Sequence, residues 1–187
     1  DCCVETDNAT AIIVTSADRA KDGRHPRALI RAVAGRVCKP RSDMHYQTGP
    51  ISTVAGKYAR EILWPNAGLG PQDVDVVELH DCFAHNELIS YEALGLCPEG
   101  GAEKFVVDGD NSYGGRVVTN PSGGLLSKGH PLGATGLAQC AELVWQLRGQ
   151  AGKRQVEGAR PALQHNVGLG GACVVTLYER LGMGSEL

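Results

Sequence analysis

The chain predicts an α/β fold of layered type, a mixed sheet with helices on its faces. Three observations carry this expectation. Short β-branched or apolar runs alternate with stretches of helical apolar spacing. The clearest helical stretch, residues 134–147, follows a glycine-rich loop. Two apolar runs near the end flank a glycine turn, as a strand pair would.

Taken in order, residues 9–15 are β-branched and short enough for a buried strand, and Ser16 can cap a short helix to about residue 20. Residues 27–38 alternate apolar and basic side chains and read as a strand with one wet face. A loop is expected at 39–50, closed by Gly49-Pro50. Residues 52–63 read as a helix with Val54, Tyr58, Ile62, Ala55 and Ala59 on one face, ended by Trp64-Pro65. Residues 76–79 are a short buried strand, 86–94 a helix, and 106–113 turn-rich. Helix 134–147 places Leu137, Cys140, Ala141, Val144 and Leu147 at core spacing. Residues 161–164 and 172–178 are the paired strands.

Composition excludes several classes. At 187 residues the chain can bury a core of its own, and 42% hydrophobic with 21% charged residues is ordinary for a globular domain. A net charge of −3 argues against nucleic acid as a partner. No apolar run approaches the ~20 residues a membrane helix needs. The seven cysteines have neither metal spacing nor a secretory leader, which reads as reduced thiols. Cys38, Cys140 and Cys173 read as small core residues.

Two segments stand out chemically. In one, residues 120–136, a glycine-rich loop delivers His130 just before a helix, where backbone donors and the helix dipole favour an anion or a developing oxyanion. The other is Glu78-Leu79-His80-Asp81-Cys82-Phe83, at the end of an apolar run. A third, His165-Asn166-Val167-Gly168, opens the glycine turn between the last strands.

Together these segments resemble the thiolase superfamily, specifically the C-terminal half of the sterol-carrier-protein type of thiolase and its lipid-transfer relatives. That family carries a Gly-His-Pro loop, a His-Asp-Cys-Phe loop and a glycine turn before its last strand, in this order. The residues at 86–100 also fit that subgroup. The resemblance implies an acyl-CoA C-acyltransferase that cleaves or forms 3-oxoacyl-CoA, with coenzyme A as substrate and no permanently bound cofactor or metal. It implies His130 as the base for a nucleophilic cysteine and Cys82 as a second acid/base, its pKa lowered beside His80 or His130. His80 with His130 would form one oxyanion site, and the Gly168 N–H would serve a second. Asn166 stands where most thiolases carry an acid/base cysteine. Ser122, Gly123, Gly124 and Asn166 are candidates for the substrate channel.

Thiolases are built from two similar halves, so the resemblance divides this chain into residues 1–26, the last strand and connector of an N-terminal half, and 27–187, the C-terminal domain. The nucleophilic cysteine is expected in that other half, as is a homodimer contact. The location implied is cytoplasmic in a bacterium, or peroxisomal in a eukaryote. Two further readings stay open: a thiolase-like retro-aldolase of steroid side chains working with an acyl-CoA-binding partner, and a non-catalytic partner chain.

Overall fold

The computed structural model describes residues 2–22, 26–37, 49–168 and 171–182. The fold class is as expected: one mixed sheet of five strands with helices on both faces. Its strands are β1 (Arg27–Val37), β2 (Val76–Glu78), β3 (Val118–Thr119), β4 (Pro161–Gly168) and β5 (Ala172–Leu181), in the spatial order β1-β5-β4-β2-β3. The β3-β2-β4 strands run parallel, and β4-β5-β1 antiparallel.

Side-chain alternation along β2 and β4 sorts the two faces. Val77, Leu79 and Leu163 point toward helices α1 (Gly49–Ala67) and α2 (Ala84–Leu94), where they join Ala59, Leu63, Tyr91 and Leu94 in the larger core. Val76 and Ala162 point the other way, against Cys140, Leu143 and Leu147 of α5 (Thr135–Arg148). Two shorter helices, α3 (Ala102–Val107) and α4 (Gly124–Lys128), complete the set.

Several sequence expectations need correction. Residues 9–15 form no strand: Ile13 is 97% and Val14 67% exposed, and β-branched residues do not make a strand without a neighbouring ladder. The turn at Ser16 is present, its carbonyl accepting from Arg19 and Ala20, but the helical residues are Arg19–Asp22. Gly49-Pro50 opens α1 rather than closing a loop; proline fits a first turn, where its missing N–H costs nothing. The rest of the expected loop at 39–50 lies outside the described residues.

Nor does Pro65 end the helix. It sits in the last turn, and α1 continues to Ala67, with Gly68 N–H donating to Trp64 O at 3.0 Å. The buried stripe of α1 is Ala59, Leu63 and Ala67, while Tyr58 and Ile62 are both 45% exposed, so the core face is rotated from the expected one. On α5, Cys140 and Leu147 are buried as expected, yet Leu137 is half-exposed. Gln139, Glu142 and Gln146 are buried instead.

Those buried polar groups are satisfied. Glu142 pairs with Arg154 at 2.8 Å, and Gln146 donates to Arg154 O at 2.7 Å and accepts from Val156 N at 2.8 Å. Gln139 links α5 to β4 by donating to His165 O and accepting from Asn166 Nδ2. The network fixes how α5 sits on the sheet, and thereby where its N-terminal loop holds His130.

Candidate active site

Parallel strands β3, β2 and β4 end on the same edge of the sheet, and the chain leaving each carries candidate residues. In open α/β sheets this carboxyl edge is where ligands gather. Residues 120–124 follow β3, 79–83 follow β2, and β4 itself extends through Asn166 to Gly168. The expected glycine turn therefore begins later than its sequence suggested, because Asn166, Val167 and Gly168 pair with Val174, Cys173 and Ala172.

Asn120 clamps the first two chains together. Its N–H donates to Val77 O at 2.7 Å, and its Oδ1 accepts from Leu79 N at 2.8 Å. It holds φ at +47°, a left-handed conformation that asparagine tolerates better than most residues. Glu78, fully buried, then fixes the following loop by accepting from Ser122 N at 3.1 Å, Ser122 Oγ at 2.8 Å and Lys128 Nζ at 3.2 Å. Burial raises the Glu78 carboxyl above its ordinary pKa, opposed by Lys128 and Ser122.

Asp81 does for α4 what Glu78 does for the loop. Its carboxylate accepts from Leu125 N at 2.7 Å and Leu126 N at 3.4 Å, capping the helix start. Gly124 makes the approach possible, since a Cβ there would lie 2.2 Å from Asp81 Oδ2. Ser122 and Gly124 are thus held by the loop's own architecture, the hydroxyl of Ser122 engaged by Glu78 and Lys128. Asp81 is a helix cap.

The two imidazoles meet. His80 and His130 have ring centroids 4.9 Å apart in an edge-on arrangement, and both are buried. His130 Nδ1 lies 2.7 Å from Thr135 Oγ1. Burial, then the neighbouring His165 and His130, push the His80 pKa down to about 3, and burial also lowers that of His130, against Glu5 and Asp81. Both rings are therefore neutral near pH 7. A third imidazole, His165, is fully buried on the α1 face with its pKa pushed down to about 4.

Cys82 lies in the same loop as His80, and Asn86 joins them: its Nδ2 donates to His80 O at 3.2 Å and to Cys82 Sγ at 3.5 Å. The expectation of a lowered thiol pKa is wrong. Burial, with Cys3 and Asp81 adding to it, pushes Cys82 up to about 11, because two neutral imidazoles supply no positive charge to favour a thiolate. Cys82 is a protonated thiol. Gly168 is the last residue of β4, exposed and opposite Ala172. Asn166 faces α5, its Nδ2 donating to Gln139 Oε1 at 3.0 Å.

A strap that sequence reading left uninterpreted ties the two loops together. Cys3 N–H donates to Cys82 O at 2.9 Å, and His130 N–H to Val4 O at 2.9 Å; Cys2 bridges to Phe83, and Glu5 to His130. Gly129 accommodates Thr6, which a Cβ would meet at 2.5 Å. Sequence reasoning also missed Asn86, Glu78 and Thr135. Glu78 carried a signal, a carboxylate ending an apolar run. Asn86 and Thr135 did not, since their partners are fixed by loop geometry.

A fold and site of this kind define a thiolase-type domain, and comparison with known proteins agrees. The profile of the "Thiolase C-terminal domain-like" family matches residues 40–178, and the chain belongs to that family. It is 57% identical over 184 residues to "Sterol carrier protein 2" of Rattus norvegicus, covering 97% of this chain and 34% of that protein. It is 40% identical to an "Acetyl-CoA acetyltransferase" of Methanothermobacter thermautotrophicus, covering 96% of this chain and 47% of that protein. Among solved structures, "Ltp2-ChsH2(DUF35) aldolase" aligns with a TM-score of 0.76 at 27% identity, covering 88% of this chain and 42% of that one. The chain thus spans between a third and a half of these relatives.

Proposed function

We propose that this chain forms the acid/base half of a thiolase that cleaves or forms 3-oxoacyl-CoA, with the acyl-accepting cysteine supplied by another part of the protein. The observation that carries the reading is the meeting of two neutral imidazoles, 4.9 Å apart, with Cys82 in the loop of His80 and its thiol and the His80 carbonyl both bonded by Asn86. In the cleavage direction, His130 takes the proton of the nucleophilic thiol, whose sulfur attacks the 3-oxo carbon. The bond between C2 and C3 breaks, and its electron pair becomes the enolate of the departing thioester. N–H donors of His80 and His130 are suited to that enolate oxygen, and a neutral His80 keeps its donor proton at every working pH.

Cys82 then gives its proton to C2. A thiol of high pKa suits this step: it stays protonated in the resting site and yields only to a strong base such as an enolate carbon. The thiolate left behind accepts the proton of incoming coenzyme A, whose sulfur attacks the acyl-enzyme; the nucleophilic sulfur leaves as a thiolate and takes back its proton from the His130 imidazolium, so both cysteines are restored. Gly168 is assigned the second oxyanion contact, Ser122, Gly123, Gly124 and Asn166 the channel wall, and coenzyme A is a substrate, not a resident cofactor.

The test is a pair of assays on the full-length protein. Incubated with a 3-oxoacyl-CoA and coenzyme A, it is expected to yield two shorter acyl-CoA products. Given a 3-hydroxyacyl-CoA without added coenzyme A, it is expected to do nothing. Aldol cleavage of the hydroxy substrate with no thiolysis would overturn the proposal in favour of an aldolase, the activity named for the solved structure above. Inactivity in both assays would mark a non-catalytic chain.

A further inference from the structure

The wiring of His130 goes beyond its proximity to His80. Thr135, 1% exposed, is the first residue of α5 and sits five positions after the imidazole. Its Oγ1 is 2.7 Å from His130 Nδ1 and 3.1 Å from Pro131 O, which also accepts Thr135 N–H at 2.9 Å. A threonine hydroxyl has one hydrogen and two lone pairs. Threonine in a helix commonly gives that hydrogen to the carbonyl four residues back, and Pro131 is that residue. The lone pairs are then left facing Nδ1, which must carry a hydrogen to use them.

From this geometry we infer that Thr135 is a positioning residue: by accepting from Nδ1–H it holds His130 in the tautomer whose Nε2 lone pair is free to take a proton. The inference rests on the proposed role of His130 as base. The opposite wiring, with the hydroxyl donating to Nδ1, would place the hydrogen on Nε2 and leave the basic nitrogen facing its own helix. It would also break each time the ring became imidazolium, when both nitrogens must donate. With Thr135 as acceptor, the same contact serves the neutral and the protonated ring, so proton transfer at Nε2 requires no rearrangement around Nδ1. Neither His80 nor Asn86 can substitute, since each is held from the β2 loop and neither bonds Nδ1.

The experiment uses the full-length protein with histidines labelled in 13C and 15N, and reads the His130 tautomer by NMR alongside thiolysis rates. His130→Ala assigns the resonance. Thr135→Val keeps the side-chain shape and removes the hydroxyl; Thr135→Ser keeps the hydroxyl and removes a methyl. The expected result is the Nδ1–H tautomer in the unaltered protein and in Thr135→Ser, whose turnover stays within a few-fold. In Thr135→Val the Nε2–H form should gain population while turnover falls roughly 10–100-fold, the usual loss when an outer contact that orients a histidine is removed. Should Thr135→Val abolish folding, the unaltered protein and Thr135→Ser still report the tautomer. An Nε2–H ring in the unaltered protein overturns the inference, as does an unchanged tautomer and rate in Thr135→Val while His130→Ala is inactive. Full thiolysis in His130→Ala would instead overturn the proposed function itself.

Discussion

Removing the buried carboxylate of Glu78 should unlatch the loop after β3 at a measurable cost in stability. Glu78 is completely buried and accepts from Ser122 N, Ser122 Oγ and Lys128 Nζ. Breaking a buried pair by deleting one partner typically costs ~3–5 kcal/mol, because the other charge is stranded. Here Lys128 is 25% exposed, so its ammonium can turn to water and part of that cost is avoided. Ser122 N–H has no such exit. The balance for Glu78→Ala is therefore about 2–4 kcal/mol. In a chain of this length about 2–4 °C is lost per kcal/mol, so the transition should fall by roughly 5–15 °C. Glu78→Gln, which retains a carbonyl acceptor for Ser122 N, should cost less, and adding Lys128→Met to it should restore part of the loss. Urea and thermal unfolding of the three variants, followed by tryptophan fluorescence, provide the measure. A Glu78→Ala protein within ~0.5 kcal/mol of the parent would refute the claim that this carboxylate holds the loop.

Gly124→Ala should be costly for two reasons acting together, a φ of +58° and a methyl driven 2.2 Å from Asp81 Oδ2; about 2–4 kcal/mol is expected in the same unfolding assay, and a neutral change would remove Asp81 from its capping role. The Glu78 carboxyl, raised by burial, binds protons more readily folded than unfolded, so its charged form weakens the fold as pH rises from its unfolded value of about 4.5 through its folded one. Stability of the parent relative to Glu78→Gln should accordingly fall over that rise, and a difference independent of pH would contradict the burial argument. Because the His80 pKa is pushed down to about 3, no limb of the pH–rate profile above about pH 4 should belong to it: His80→Gln should slow the reaction and leave the limb in place, and a limb lost with His80 would show that its ring titrates. Finally, Ile13, Val14, Ile30 and Trp145 expose apolar surface around a cavity of about 690 Å³ between the 11–20 segment and α5. The 187-residue chain alone should therefore bind a hydrophobic dye or self-associate, and a monomer that does neither would count against a face built to be covered.

The alternation of strand-like and helix-like segments was enough to read the α/β class, β1, the short buried β2, α2 and α5, because each has a period or a run that burial enforces. Helices α3 and α4 and strand β3 were invisible for the opposite reason: they span six, five and two residues, less than two turns or two pleats, and exist because neighbours hold them. The 9–15 run failed as a strand since propensity does not supply a pairing partner. In the site, the motifs singled out His80, Cys82 and His130, and the structure brings the two imidazoles together. The protonation state of Cys82 was not legible, because it depends on burial and on whether the flanking rings carry charge, neither of which spacing encodes. The supporting contacts of Glu78, Asp81, Asn86 and Thr135 emerge only when three separate loops share one edge.

Cys82→Ala in the full-length protein tests whether Cys82 is the thiol that carries the proton to and from carbon. Thiolysis of a 3-oxoacyl-CoA and acyl-CoA binding should be measured side by side. Asn166 offers no replacement thiol at the end of β4, so turnover should fall ~10²–10⁴-fold, the usual loss of a general acid/base, while acyl-CoA affinity and the unfolding transition change little. Turnover close to that of the unaltered protein would take Cys82 out of the mechanism and, with it, the proposed acid/base role of this domain.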